Sequence, residues 1–382
     1  MTTVKMVKLG TLIKPAKLQK CGNDDYPVLS MTMHNGLVFQ SDKFKKSVAS
    51  QDKSTYKVVH RNQLVIGFPI DEGVLATQRI TDVGIVSPAY GIWDVDQTKI
   101  IPEFLEYALR CNRAIDYYKA KLRGSTARRR SLPTPTLLEL DVPLPDIEQQ
   151  RLALTTIHHA KNALDSRQAQ LTKLDELVKA RFVEMFGDKN YPYESLINLV
   201  LDGTSLSYGI VQPGNDGTGD MGVLRPVDIV DGKLTMSSIK YIDRSIGEGF
   251  KKTELDGDEL LITVRGTTGI TALTDGRFAG MNVTRGIAVI RYNRKKINPL
   301  YLNAYFNTDE SQRYIQEHTR GATLQQINLS DLRIQRIMLP PLSLQNQFAA
   351  FVAEVDKSKV EVQKALDQTQ LLFDSLMQQY FG

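Results

Sequence analysis

The sequence predicts an α+β chain: two globular mixed α/β domains joined by two long helices that form an antiparallel coiled coil, the whole built as an internal pseudo-two-fold repeat. Three observations predict this. The motifs between Pro102 and Gly187 return in the same order between Pro299 and Gly382. Each copy ends in a long helical tail, and each is preceded by short β-type runs punctuated by turns. The copies lie roughly 196 residues apart, far beyond the ~20–50-residue period of stacked repeats, so a domain has been duplicated.

The first domain, residues 1–146, carries strand-like runs at Tyr26-Pro-Val-Leu29, Tyr56-Lys-Val-Val-His60 and Gln63-Leu-Val-Ile-Gly67. Turn signals at Gly22-Asn-Asp-Asp25, Asn35-Gly36 and Asp71-Glu-Gly73 separate them. Pro102 then opens a helix through Phe104, Leu105, Tyr107, Ala108 and Leu109, since a first-turn proline loses no hydrogen bond there.

Residues 147–188 follow as a long helix. Ile157, Leu164, Leu171, Val178 and Met185 fall seven apart, the spacing of a coiled-coil seam. Leu154, Leu174, Leu177 and Phe182 widen the stripe, and Gly187 stands where a C-cap glycine is expected.

The second domain, residues 189–341, repeats the plan of the first with a divergent sequence. Val223-Leu224 and the Asp231-Gly232 turn match Val28-Leu29 and Asn35-Gly36. Residues 342–382 form the second long helix, with one heptad row at Phe348, Val355, Val362, Thr369 and Leu376. A second row runs Val352, Lys359, Leu366, Phe373 and Tyr380, so Thr369 and Lys359 are its polar interruptions. A helix of about 38 residues at ~1.5 Å rise spans ~57 Å.

Composition narrows the function. The 382 residues are 42% hydrophobic and 24% charged, ordinary for a soluble globular protein. No apolar run reaches membrane-spanning length and no leader with a cleavage site is apparent, so a cytoplasmic protein without a membrane role is expected. Two cysteines, Cys21 and Cys111, offer no metal cluster or disulfide framework and read as inert, partly buried residues.

Catalytic signals are lacking. No glycine-rich phosphate loop follows a strand. Neighbouring His158 and His159 point ~100° apart on a helix and cannot share one metal, so they read as solvated or capping residues. Asn298-Pro-Leu-Tyr301 only faintly matches an adenine-methyltransferase loop and reads as a helix start. Asp228, Asp231 and Lys233 could be stretched into a nuclease-like set, but Asp231-Gly232 fits a plain hairpin turn. No catalytic residue, metal ligand or resident cofactor is expected.

Basic and polar residues point instead to nucleic acid. The net charge is +5, and the pI is near 8.9, which permits phosphate neutralisation without establishing it. In the first half, Lys43, Lys45, Lys46, Lys57 and Arg61 form a basic stretch. The loop Arg123-Gly-Ser125-Thr126-Ala-Arg128-Arg129-Arg130 combines guanidinium groups, hydroxyls and glycine amides, the usual partners of phosphates. In the second half the candidates are Arg225, Lys251, Lys252, Arg265 and Arg285, with Arg320 and Thr323 in the loop that matches the arginine-rich one. Two related halves suit a ligand with two half-sites, of which duplex DNA is the leading case.

The duplicated order carries a family resemblance. Gly124-Ser125-Thr126, then Val142-Pro-Leu-Pro145 with Glu148-Gln149, then a helix ending Phe186-Gly-Asp188, resembles the specificity subunit of type I restriction-modification systems over essentially the whole chain. The second copy, Pro340-Pro341-Leu-Ser-Leu-Gln345, has Leu344 where the family usually carries Glu. The resemblance implies a non-catalytic reader of double-stranded DNA with a bipartite target, one target-recognition domain for each part. It implies two methyltransferase subunits docked on the helices, bringing S-adenosylmethionine for adenine N6 methylation, and restriction subunits using ATP and magnesium. Two alternatives stay open: the specificity subunit of a related system whose partner fuses methyltransferase and nuclease, and a coiled-coil scaffold with no DNA role.

Overall fold

The computed structural model describes residues 4–33, 35–43, 52–122, 132–187, 189–214, 219–322 and 324–382. It divides into two compact units: residues 1–168 with 364–382, and residues 169–363. Both long helices, Ile147–Phe182 and Leu342–Phe381, contribute residues to both units.

In the first unit, β1 (Ile13–Pro15), β2 (Leu64–Ile66), β3 (Leu75–Thr77) and β4 (Gly91–Val95) form an antiparallel sheet in the order β1-β4-β2-β3. Side chains alternate across it. Leu64, Leu75, Trp93 and Val95 enter the main core, while Val65, Ala76 and Ile92 enter a second one. The helix Pro102–Arg110 begins at its proline, as the sequence predicts, and buries Phe104, Leu105, Ala108 and Leu109 on that main core. The predicted strand at Tyr26–Leu29 starts only at Leu29 and runs to Thr32, because Pro27 has no N–H for a ladder.

The first long helix starts just after Asp146, whose carboxylate accepts from the Gln149 N–H at 2.8 Å. The Gln149 carboxamide in turn accepts from the Asp146 N–H at 3.3 Å, a reciprocal cap. Within the first unit this helix runs antiparallel to the last one: Ile157 shares a core with Phe381, and Arg167 Nε donates to Thr369 Oγ1 at 3.1 Å.

In the second unit, β5 (Ser207–Tyr208), β6 (Leu260–Thr263), β7 (Thr271–Leu273) and β8 (Ile287–Ile290) form an antiparallel sheet in the order β5-β8-β6-β7. Helix Pro299–Phe306 buries Tyr301, Leu302, Tyr305 and Phe306. The two helix segments of this unit also run antiparallel: Phe182 packs on Phe348 at 5.4 Å between ring centroids, and Lys359 Nζ meets Asp175 at 2.6 Å.

The heptad residues Ile157, Leu164, Leu171, Val178 and Met185 are all buried or half-buried, as are Phe348, Val352, Val355, Val362, Leu366, Phe373 and Leu376. Leu177 is a correction: it is 47% exposed and lies outside the stripe. Both polar interruptions have polar partners, Thr369 on Arg167 and Lys359 on Asp175. Gly187 is a second correction. It closes a π-helical turn, Val183–Gly187, in place of a left-handed cap, and the wider turn buries both Met185 and Phe186.

A fully buried glutamine makes the same pair of hydrogen bonds in each unit. Gln150 Oε1 accepts from the Ile101 N–H at 2.8 Å, and its Nε2 donates to the Pro145 carbonyl at 2.9 Å. Gln345 Oε1 accepts from the Asn298 N–H at 2.8 Å, and its Nε2 donates to the Pro340 carbonyl at 2.8 Å. Likewise Tyr117 Oη donates to the Thr136 carbonyl at 2.7 Å, and Tyr314 Oη to that of Asp331 at 2.8 Å.

Candidate nucleic-acid interface

A cleft of about 730 Å³ opens in the second unit. Its walls come from four separate stretches: Leu206–Val211 around β5, Val264-Arg265 after β6, Arg285 before β8, and Gln326–Arg333. Backbone bonds fix their mutual positions. Arg285 N–H donates to the Ile210 carbonyl at 2.9 Å and Val264 N–H to that of Gly286 at 2.8 Å. Ile327 N–H donates to the Val264 carbonyl at 3.1 Å, and Gly266 N–H to that of Gln325 at 2.9 Å. Residue 286 must be glycine, since a Cβ there would stand 2.7 Å from Pro226 Cγ.

The cleft carries unpaired positive charge. Elsewhere in the unit, Arg225, Arg244, Arg277, Arg291 and Arg294 each hold a carboxylate. Among the described residues, Arg265 and Arg285 have no hydrogen bond or ion pair to their guanidinium groups. Arg333 donates from Nη2 to the Leu206 carbonyl at 2.8 Å. The Nε atoms of Arg265 and Arg333 are buried without a partner. Guanidinium groups that lack a protein counter-charge suit an anion, which they hold through charge-assisted bonds.

The structure therefore brings together two of the sequence candidates, Arg265 and Arg285, and adds Arg333. The other described candidates are placed differently. Arg225 grips Asp228, with Nε on Oδ2 and Nη2 on Oδ1, both at 3.1 Å. Lys251 and Lys252 stand exposed on the turn Glu248–Thr253. Arg320, exposed on a short hairpin, lies 3.7 Å from Asp331. In the first unit, Lys57 donates to the Tyr90 carbonyl at 2.6 Å, and Arg61 bonds Asp82 at 2.8 Å and the Arg79 carbonyl at 2.7 Å. Lys43 ends the short helix Gln40–Lys43. Lys45, Lys46, Arg123, Ser125, Thr126, Arg128, Arg129, Arg130 and Thr323 lie outside the described residues.

A cleft of about 690 Å³ in the first unit has a different character. Its charges neutralise one another: Glu103 meets Arg79 at 2.7 Å and Glu106 meets Arg110 at 3.3 Å. His158, expected to be solvated or capping, instead bonds Glu103 through Nε2 at 2.9 Å.

The nuclease-like set dissolves in the structure. Asp228 is fully buried and its carboxylate is saturated by Arg225 and by Ser238 Oγ at 2.6 Å. Asp231 and Gly232 have φ of 49° and 71°, the pair of left-handed conformations a two-residue hairpin turn demands. Among the described residues no cluster of three His, Cys, Asp or Glu could hold a metal, and no helix is long and apolar enough to cross a membrane. Cys21 and Cys111 are buried free thiols.

Comparisons with known proteins show which chains this one is similar to. The model of the type I restriction modification DNA specificity domain matches residues 218–369, which include the whole cleft except residues 206–211. The chain is 22% identical over 400 residues to the type I restriction enzyme EcoBI specificity subunit of Escherichia coli, covering 91% of this chain and 82% of that protein. Among solved structures, a chain from a study of assembly and conformational transition of the type I restriction-modification system superposes with a TM-score of 0.60 at 16% identity. That match covers 99% of this chain and 97% of the other. The type I restriction-modification S subunit of M. genitalium superposes with a TM-score of 0.56 at 12% identity, over 100% and 97%. These structural likenesses show the same mixed α/β fold with long helices.

Proposed function

We propose that the chain is a specificity subunit of a type I restriction-modification system, as its similarities suggest, and that its DNA-reading surface in the second unit is the cleft of Arg265, Arg285 and Arg333. The subunit is non-catalytic: it selects DNA and leaves the chemistry to other subunits of the system. The observation that carries the placement is the pair of guanidinium groups with no protein counter-charge. A phosphate supplies that charge.

The two halves act as copies that read two parts of a bipartite target. The target-recognition domains are residues 1–146 and 189–341, and the long helices are residues 147–188 and 342–382. The repeated Gln150 and Gln345 hydrogen bonds support a common ancestry for the halves. The helices pair as an antiparallel coiled coil, set the length of the unread spacer, and dock two methyltransferase subunits that bring S-adenosylmethionine. Restriction subunits, with ATP and magnesium, join that core in the cytoplasm.

Salt-dependent binding to duplex DNA tests the DNA-reading surface. Each of Arg265→Ala and Arg285→Ala should weaken binding and reduce the slope of log affinity against log salt by about one. Unchanged slopes in both variants remove the cleft from the interface. Mapping methylated adenines in a host carrying the chain and its methyltransferase tests the target: a split motif is expected, and a continuous one overturns the bipartite reading. Inserting one heptad into each long helix should lengthen the unread spacer; an unchanged spacer rules out the helices as its ruler.

A further inference from the structure

Gln326, Ile327 and Asn328 run in extended conformation along one wall of the cleft. Ile327 is 1% exposed and packs in the core, so its two neighbours face the other way, as alternation along a strand requires. Backbone pairing of Arg265 with Gln326 sets these amides beside the unpaired arginine.

Asn328 occupies the residue before helix Leu329–Ile334, where an asparagine side chain ordinarily accepts a backbone N–H. Asn298 does so in the same unit, accepting from the Leu300 N–H at 2.9 Å. The Asn328 side chain accepts none, and among the described residues neither its carboxamide nor that of Gln326 has a hydrogen bond. Both are half-buried and line the cleft, so each presents a donor and an acceptor there that no protein group occupies.

We propose that Asn328, with Gln326 beside it, is a specificity-determining residue that reads the edge of a base, adenine by its chemistry, in the part of the target bound by the second unit. The inference rests on the DNA-reading assignment of the cleft. Adenine presents an N7 acceptor beside an N6 donor in the major groove, and a carboxamide matches both at once. Arg265 and Arg285 hold the backbone and carry no sequence information of their own.

The test is selection from a randomised duplex library with the full chain, comparing the unaltered protein with Asn328→Ala, Asn328→Ser, Gln326→Ala and Arg265→Ala. The unaltered chain should select a motif containing an adenine that Asn328→Ala no longer demands, a roughly ten- to hundred-fold loss of discrimination at that position alone. Asn328→Ser, which retains a good helix-capping side chain, should relax the same position, separating base reading from any effect on folding. Arg265→Ala should weaken all sequences alike. If the unaltered chain selects a motif and both Asn328 variants keep every position of it, the inference is overturned while the DNA-reading assignment stands. If the unaltered chain selects no motif, that assignment falls and the inference with it.

Discussion

Gln150 holds Ile101 by a single hydrogen bond of 2.8 Å, from the backbone N–H that precedes Pro102 to the side-chain carboxamide. The same glutamine donates to the carbonyls of Lys99 and Pro145, at 3.0 and 2.9 Å. One fully buried side chain thus ties the start of helix Pro102–Arg110 to the start of the first long helix. Gln150→Ala removes the side-chain partner of one N–H and two carbonyls, so a loss of about 1–3 kcal/mol is expected. Chemical denaturation of the full chain measures it. Gln345→Ala should show a comparable loss, because its pattern with Asn298 and Pro340 is nearly the same.

Phe381 closes the core of the first unit. It is 1% exposed, its ring lies 4.8 Å from that of Phe104, and its carbonyl accepts from Arg113 Nε at 3.1 Å. Phe381→Ala should cost about 3–5 kcal/mol. Hydrogen exchange should quicken in Pro102–Arg110 and leave Leu260–Thr263 protected, whereas Phe186→Ala, which removes the 5.0 Å contact with Tyr301, should do the reverse.

Glu106 is a buried carboxylate that accepts from Thr77 N–H at 2.9 Å and Thr77 Oγ1 at 2.8 Å, while facing Arg110 at 3.3 Å. Glu106→Ala leaves a half-buried cation and an unmet backbone donor, a loss of about 3–5 kcal/mol. Glu106→Gln retains the acceptor for Thr77 and should lose less. Thermal unfolding of both variants checks the order.

Asp258 links stability to pH. The Arg294 guanidinium, with Nε 3.0 Å from Oδ2, and the Tyr292 hydroxyl hold its carboxyl below the ordinary carboxylate range. Because the folded pKa is depressed, the group's contribution is present above its unfolded value of about 3.9 and is lost as pH falls through the folded one. Asp258→Asn should flatten the acid limb of the stability profile below about pH 4 and leave its shape unchanged at neutral pH. Denaturant titrations across that range decide it.

Much of the local architecture was legible in the residues. Pro102 and Pro299 each begin a helix, Asp231-Gly232 makes its turn, and the heptad positions face inward. Each of these depends on near neighbours: a fixed φ, a residue tolerant of left-handed backbone, a period of seven. Leu177 escaped because widening an apolar stripe on a helix does not say which residue at its margin meets a partner.

The sequence by itself determined the periodic and punctuated features, since these follow from the backbone preferences of adjacent residues. The tertiary structure decided which charges are spent and which are free. Lys57 and Arg61 read as available cations until folding placed the Tyr90 carbonyl and Asp82 against them. Arg265, Arg285 and Arg333 share a cleft only because β6, β8 and the Gln326–Arg333 segment are laced together by backbone bonds. Whether a guanidinium finds a carboxylate depends on which distant segments folding brings within a few ångströms, and no local pattern encodes that.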